Sequence, residues 1–276
     1  MNLRKISAIA RPVDPDFPTN RAIALIAAAI VAVDFIRRLF TDSNLFTSAW
    51  TAAGVGLAVF FAWALCREID PDQDYSAFVG GGVALVGTLL WGVPELAVLF
   101  WMLLAVRFVN RTTGLRATAI DSIAMLSLAT WLAFRVWWPV GALTAVAFLL
   151  DGWLSQPCLR HRIFGFLILA VTIGAGLLGG ALWKFSGPTM ASGTIAFLMC
   201  LVFVPVFFAS RDLRSLCDDT KERLSTARIR AAQLLVLTVG VSAVCWIGAA
   251  GLFALWPIWS AVIGASAYLL VKSALA

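Results

Sequence analysis

The chain has 276 residues, of which 61% are hydrophobic and 13% charged, too little polar surface for a water-soluble globular domain of this length. The formal charge of +6 lies in short gaps between apolar runs, where basic residues orient helices and meet anionic lipid headgroups. Nucleic-acid binding is therefore not expected, and the composition reads as one all-α, polytopic integral membrane domain.

Residues 1–20 carry Pro12, Pro15, Pro18, Asp14 and Asp16 ahead of the first apolar run. A secretory signal would place a short apolar core directly behind its basic start, followed by a small-residue cleavage site. Neither is found, so 1–20 is expected to be a cytoplasmic segment and the first helix to be retained. From there 21–276 reads as a single transmembrane domain of about ten helices, at 21–40, 46–66, 77–92, 93–109, 117–136, 137–154, 162–184, 192–209, 229–250 and 252–272. Runs of roughly 16–24 residues suit a hydrocarbon core about 30 Å thick.

Basic residues fill alternate gaps. With the N-terminus inside, the cytoplasmic side holds 17 of them, from Arg4 and Lys5 to Lys272, and the outer side holds Arg37, Arg38, Arg135 and Lys184. The positive-inside rule then puts both termini in the cytoplasm, with a bacterial or archaeal plasma (inner) membrane as the expected location. Trp50, Trp91, Trp137, Trp138, Trp183, Trp256 and Trp259 fall near the outer ends, where an interfacial aromatic belt is expected. Pro94, Pro139, Pro188 and Pro257 mark tight outer turns, since proline opens a helix without leaving an unpaired N–H. Polar chemistry gathers in the inner loops, the longest of which, 210–229, is expected to contain a helical turn or two. The loops 113–118 and 220–226 resemble each other, which allows an internal duplication of a four-helix unit.

Ionisable residues inside a membrane are costly and so are candidates for function. Asp34 lies deep in the first helix, with Arg37 and Arg38 three and four residues on, a spacing that also forms a local ion pair. Arg107, Arg111, Asp121 and Asp151 sit at the inner ends of the fourth to sixth helices, and Asp70, Asp72 and Asp74 lie just beyond the second. If those helices pack together, these acids and bases converge on one cytoplasm-facing vestibule, as a site or as a salt-bridge network. Glu95 after Pro94 suits a helix start, and His161 between Arg160 and Arg162 reads as a solvated loop residue. The glycines at 80–82 and the pair Gly176/Gly180 fit close helix packing, while Pro205 is expected to kink the eighth helix. Cys66, Cys158, Cys200, Cys217 and Cys245 match no metal spacing, so no metal, cofactor or disulfide is expected.

In length, helix count and inner termini the chain resembles the ten-helix drug/metabolite transporters, whose two five-helix halves are inverted, whereas the repeat here is parallel. The stretch from Ala62 to Asp70 resembles the first aspartate motif of UbiA-type prenyltransferases, whose acidic runs hold magnesium and diphosphate. The motif positions read Ala62, Trp63, Cys66 and Asp70 here, with Asp151 and Ser155 at the second acidic pair. Three functional expectations follow. The first is a transporter or permease for a small solute, with Asp34 as a coupling group. The others are an enzyme acting on a lipid or prenyl substrate at the cytoplasmic face, and a non-catalytic subunit or assembly factor. Membrane lipids are partners in each.

Overall fold

The computed structural model describes residues 7–11, 13–41, 44–178 and 185–275. These form eleven helices: α1 (Pro18–Leu39), α2 (Leu45–Ile69), α3 (Ser76–Trp91), α4 (Leu96–Asn110), α5 (Ala119–Arg135), α6 (Pro139–Trp153), α7 (Leu159–Leu178), α8 (Met190–Ala209), α9 (Thr226–Ile247), α10 (Ala249–Ala254) and α11 (Trp256–Leu275). The described residues contain no strand. Five helices, α2, α7, α8, α9 and α11, are long and apolar enough to cross a membrane, and α3, α4 and α6 are shorter apolar helices. Several apolar helices of this kind are compatible with an integral membrane protein.

Local chemistry sets the helix ends. Asn44 accepts hydrogen bonds from Phe46 N at 3.0 Å and Thr47 N at 3.1 Å to start α2, and Thr118 and Asp121 form a capping box on α5, each satisfying amides that a helix start leaves free. Pro18 and Pro139 open α1 and α6. The predicted last span is divided at Leu255, so that α10 is a single short helix ahead of α11.

α4 is the axis of the bundle, packed on α2, α6 and α9. Its Trp101, Met102 and Phe108 are fully buried, and Trp101 Nε1 donates to Thr144 Oγ1 of α6 at 2.8 Å. α3 packs closely on α11 at a crossing made by Gly80 and Gly264, where a Cβ on Gly264 would collide with the Gly80 backbone. The expected packing role of that glycine run is realised at Gly80 and Gly81, while Gly82 is exposed. α1 lies on the outside of α2, over Gly56.

Three expectations are refined. Trp259 and Trp137 are buried rather than exposed at an interface; the Trp259 ring fills the space that the missing side chain of Gly240 leaves. Residues 210–225 hold no helix, and their helical structure is limited to one turn, in which Lys221 N donates to Cys217 O at 3.1 Å. They fold back as a hairpin-like loop closed by an isolated antiparallel bridge between Leu216 and Arg223, because its amides are engaged elsewhere. Asp218 N and Asp219 N donate to the carbonyls of Thr112 and Thr113 at 3.0 and 3.2 Å. Pro205, expected to kink the eighth helix, lies exposed within α8, which runs unbroken from Met190 to Ala209. Arg4, Lys5, Gly180, Trp183 and Lys184 lie outside the described residues.

Candidate functional site

α2 ends in Arg67-Glu68-Ile69 and α4 ends in Asn110, followed by Arg111 in the left-handed conformation (φ 49°, ψ 51°). That reversal sends consecutive side chains to different carboxylates. Asn110 and Thr112 go to Glu68, and Arg111 goes to Asp151.

Glu68 is 1% exposed and has four donors. Arg107 Nε lies 2.8 Å from Oε1 and Arg11 Nη1 lies 3.4 Å from it. Asn110 Nδ2 and Thr112 Oγ1 reach Oε2 at 2.8 and 3.0 Å. Arg11 also holds Asp218 of the hairpin-like loop, with Nε 2.7 Å from Oδ2. Burial by itself depresses the basicity of Arg11, but the charges of Glu68 and Asp218 outweigh it and the net shift is upward. Segment 7–11 is therefore part of the site. It crosses the ends of α4 and α5, where Ala8 N and Ser7 Oγ donate to Asp121 and Thr113 Oγ1 donates to Ala8 O.

Asp151 is fully buried. Arg111 grips it with two bonds of 2.7 Å, Arg228 Nη1 lies 2.9 Å from Oδ1, and His161 Nδ1 lies 2.6 Å from Oδ2. The other His161 nitrogen is 2.8 Å from Ser122 Oγ, whose hydroxyl also bonds the Thr118 carbonyl at 2.9 Å. His161 is thus a buried histidine among Phe108, Phe148 and Phe164, not the solvated loop residue expected. The Ser122–His161–Asp151 connectivity is that of an acyl-transfer triad, but Ser122 is fully buried and opens on none of the cavities described here. Asp151, Cys158 and His161 also bring possible ligand atoms within 4.8 Å of one another. Two guanidinium groups on the same carboxylate oppose a cation there.

The remaining candidates separate. Asp34 is held by Arg37 and Arg38 at 2.7 Å each, on a helix whose Arg37 is 56% exposed, so both its oxygens are engaged in the local ion pair. Asp121 caps α5 and anchors segment 7–11. Asp72 accepts from Arg214 N and Ser215 N at 2.9 Å each, and Asp74 pairs with Arg67 at 3.1 Å. Asp70 sits near Ser76 and Lys272; burial, reinforced by Asp72, pushes its carboxyl up to about 7. The magnesium-binding aspartates of the prenyltransferase resemblance have no common site here, because Asp70 and Asp151 have different partners and Asp151 is saturated by cations.

Of these residues, Arg107, Asp72 and Asp74, together with Arg11, Arg67 and Glu68, line open space at the charged end, and Asp34 lines a separate apolar groove of about 340 Å³ beside α2 and α3. A polar vestibule of about 220 Å³ lies between Arg11, Arg67, Pro71, Asp74, Thr112 and Ser215. A narrow cleft of about 40 Å³ continues past Glu68 and Arg107 to Trp63 and Phe60. A shallower basin of about 510 Å³ lies between Asp72, Gln73, Arg214 and Lys272. Sequence reasoning passed over Arg11, Glu68, Asn110 and Arg228. The one sequence signal for Glu68 was an acid beside Arg67 at the inner end of an apolar run.

Compared with protein families, with curated proteins and with solved structures, the chain matches none of them.

Proposed function

We propose that this chain is a membrane transporter or permease for a small anionic solute, with the vestibule as its cytoplasmic mouth. The reading rests on one observation: Arg11 joins a buried carboxylate, Glu68, to a partly exposed one, Asp218, at the junction of vestibule and cleft. An anionic ligand that takes Asp218's place on Arg11 leaves the inner pair intact, and exchange of partners moves the ligand inward without a bare buried charge. The proposed arrangement has ten spans with both termini on the cytoplasmic side of a plasma membrane. A duplicated four-helix unit belongs to the same proposal and rests on the loops 113–118 and 220–226 alone. Asp34, paired on the outside of the bundle, is not needed for this route.

Counterflow of labelled organic anions into proteoliposomes tests the reading. Saturable uptake, reduced at least about tenfold in Arg11→Gln, supports it. Absence of uptake across carboxylates, phosphates and sulfonates removes it. A second reading, an enzyme acting on a lipid substrate, is favoured by the extension of the cleft along α2 toward the apolar interior. It predicts product formation without uptake.

A further inference from the structure

The cleft beside Glu68 has walls of two kinds. Its polar end presents Arg11, Arg67 and Arg107 against the single carboxylate of Glu68, an excess of two positive charges. The vestibule side balances this with Asp74 and Asp218, which are 52% and 31% exposed. Exposed carboxylates are weakly held partners that an incoming anion can displace. The other end is apolar. Phe60, Trp63, Ala64 and Arg67 follow one another at spacings of three, one and three on α2, so the wall descends one helix face from Arg67 to Phe60 over about 10 Å. That distance takes it from the headgroup level of a membrane well into its hydrocarbon.

Trp63 carries a further signal. It is 5% exposed, it lines the cleft, and its indole N–H has no hydrogen-bond partner among the described residues. Its ring lies under the Arg67 guanidinium, 5.3 Å from the centroid, so the ring is shared with the cationic groups of the cleft. A buried donor without a partner is costly, and a ligand oxygen in the cleft would satisfy it. The requirement is therefore an anionic, oxygen-rich head beside an apolar chain.

We infer that this cleft binds an anionic amphiphile, with its phosphate or carboxylate head on Arg11, Arg67, Arg107 and the Trp63 indole and its chain along Phe60. The inference rests on the reading of the vestibule as a ligand site and names the class of solute. The cleft measures about 40 Å³, so accommodating an alkyl chain requires displacement of lining side chains such as Phe60 and Val13. A lipid headgroup of the surrounding leaflet and a soluble alkyl phosphate offer the same chemistry.

The test uses the full chain in an uncharged maltoside detergent, with octyl phosphate, octanoate, inorganic phosphate and octanol as probes. Phosphorus NMR linewidths and the thermal unfolding midpoint report binding. Octyl phosphate and octanoate are expected to bind, while phosphate and octanol bind at least about tenfold more weakly, since each lacks half of the complementarity. Trp63→Phe keeps an aromatic ring, though a smaller one, and removes the donor, and should weaken octyl phosphate about tenfold. Arg67→Gln should weaken it at least as much, and if that variant fails to fold, Trp63→Phe decides. Equal binding of inorganic phosphate, or of octanol, overturns the amphiphile assignment. So does unchanged octyl phosphate affinity in Trp63→Phe. Repeating the titration in nanodiscs of purely zwitterionic and of partly anionic lipid separates the two sources: competition by the anionic lipid identifies a leaflet ligand, and its absence identifies a soluble one. Binding without any flux in proteoliposomes removes the transport reading and leaves this inference standing. Flux of soluble anions that octyl phosphate does not inhibit does the reverse.

Discussion

Replacing Asp151 by Asn tests the fully buried carboxylate on which two arginines and His161 converge. The side chain keeps its shape but loses its charge, and one oxygen becomes an NH₂ group facing a guanidinium or the His161 N–H. Arg111 and Arg228, 5% and 4% exposed, are left as buried cations. Their remaining bonds go to neutral carbonyls, Gln156 O for Arg111 and Ser155 O and Val109 O for Arg228, which satisfy hydrogens without neutralising charge. Removing one partner of a buried pair costs about 3–5 kcal/mol. In a chain of this size each kcal/mol lowers the unfolding midpoint by about 2–4 °C, so the expected drop is about 6–20 °C. Heating the detergent-solubilised protein with a thiol-reactive dye, in a background with Cys158, Cys200 and Cys245 replaced, reads this, because Cys66 and Cys217 are buried in the folded state. Asp34→Asn is the internal comparison. Arg37 is 56% exposed and can extend into solvent, and the change should stay within about 1 kcal/mol. In Asp151→Asn/Arg228→Gln the second change removes one of the stranded cations, so the pair should cost less than the sum by about 0.5–3 kcal/mol. A drop below about 2 °C for Asp151→Asn would show that the network does not hold the helix ends together as argued.

Three further outcomes are expected. Asp70 has a folded-state pKa near 7 against an ordinary carboxylate value, so the native state holds its proton more tightly. That contribution is complete below about pH 4 and is lost as pH rises through about 7, and Asp70→Asn should flatten the midpoint between about pH 5 and 8 and exceed the parent at the upper end. Gly114→Ala places a Cβ at φ 81° against Thr220 Oγ1; it should cost at least about 1 kcal/mol and speed proteolysis within residues 210–225. With native thiols removed, single cysteines at Gln73 or Asp219 should react with an impermeant maleimide in inverted vesicles and not in intact cells; the reverse result overturns the orientation.

The helices themselves were legible residue by residue. Every predicted segment is helical over most of its described length, since in an apolar surround the backbone must satisfy its own hydrogen bonds and the helix does so locally. Caps and turns such as Asn44, Thr118 and Pro139 are likewise local. The site was legible only in outline. Charge clustered at the inner ends, and Arg107 and Asp151 were singled out, but the partners were not. Arg11 meets Glu68 across 57 positions, Arg107 meets it across 39, and Arg228 meets Asp151 across 77. His161 looked solvated because its neighbours are arginines, yet α7 turns its ring inward onto three phenylalanines.

By itself, then, the sequence determines what is decided within a few turns of chain: apolar composition, helical segments, their ends, and the asymmetry of basic residues. Which acid meets which base was decided by tertiary structure, through the rotation of each helix about its axis and the docking of segment 7–11 and the hairpin-like loop on the ends of α2, α4 and α5. A charged residue at a helix end has the same local pattern whether it faces water or a buried partner. Burial by the assembled bundle removes water from Glu68 and Asp151, and only then does pairing with a particular arginine outweigh solvation.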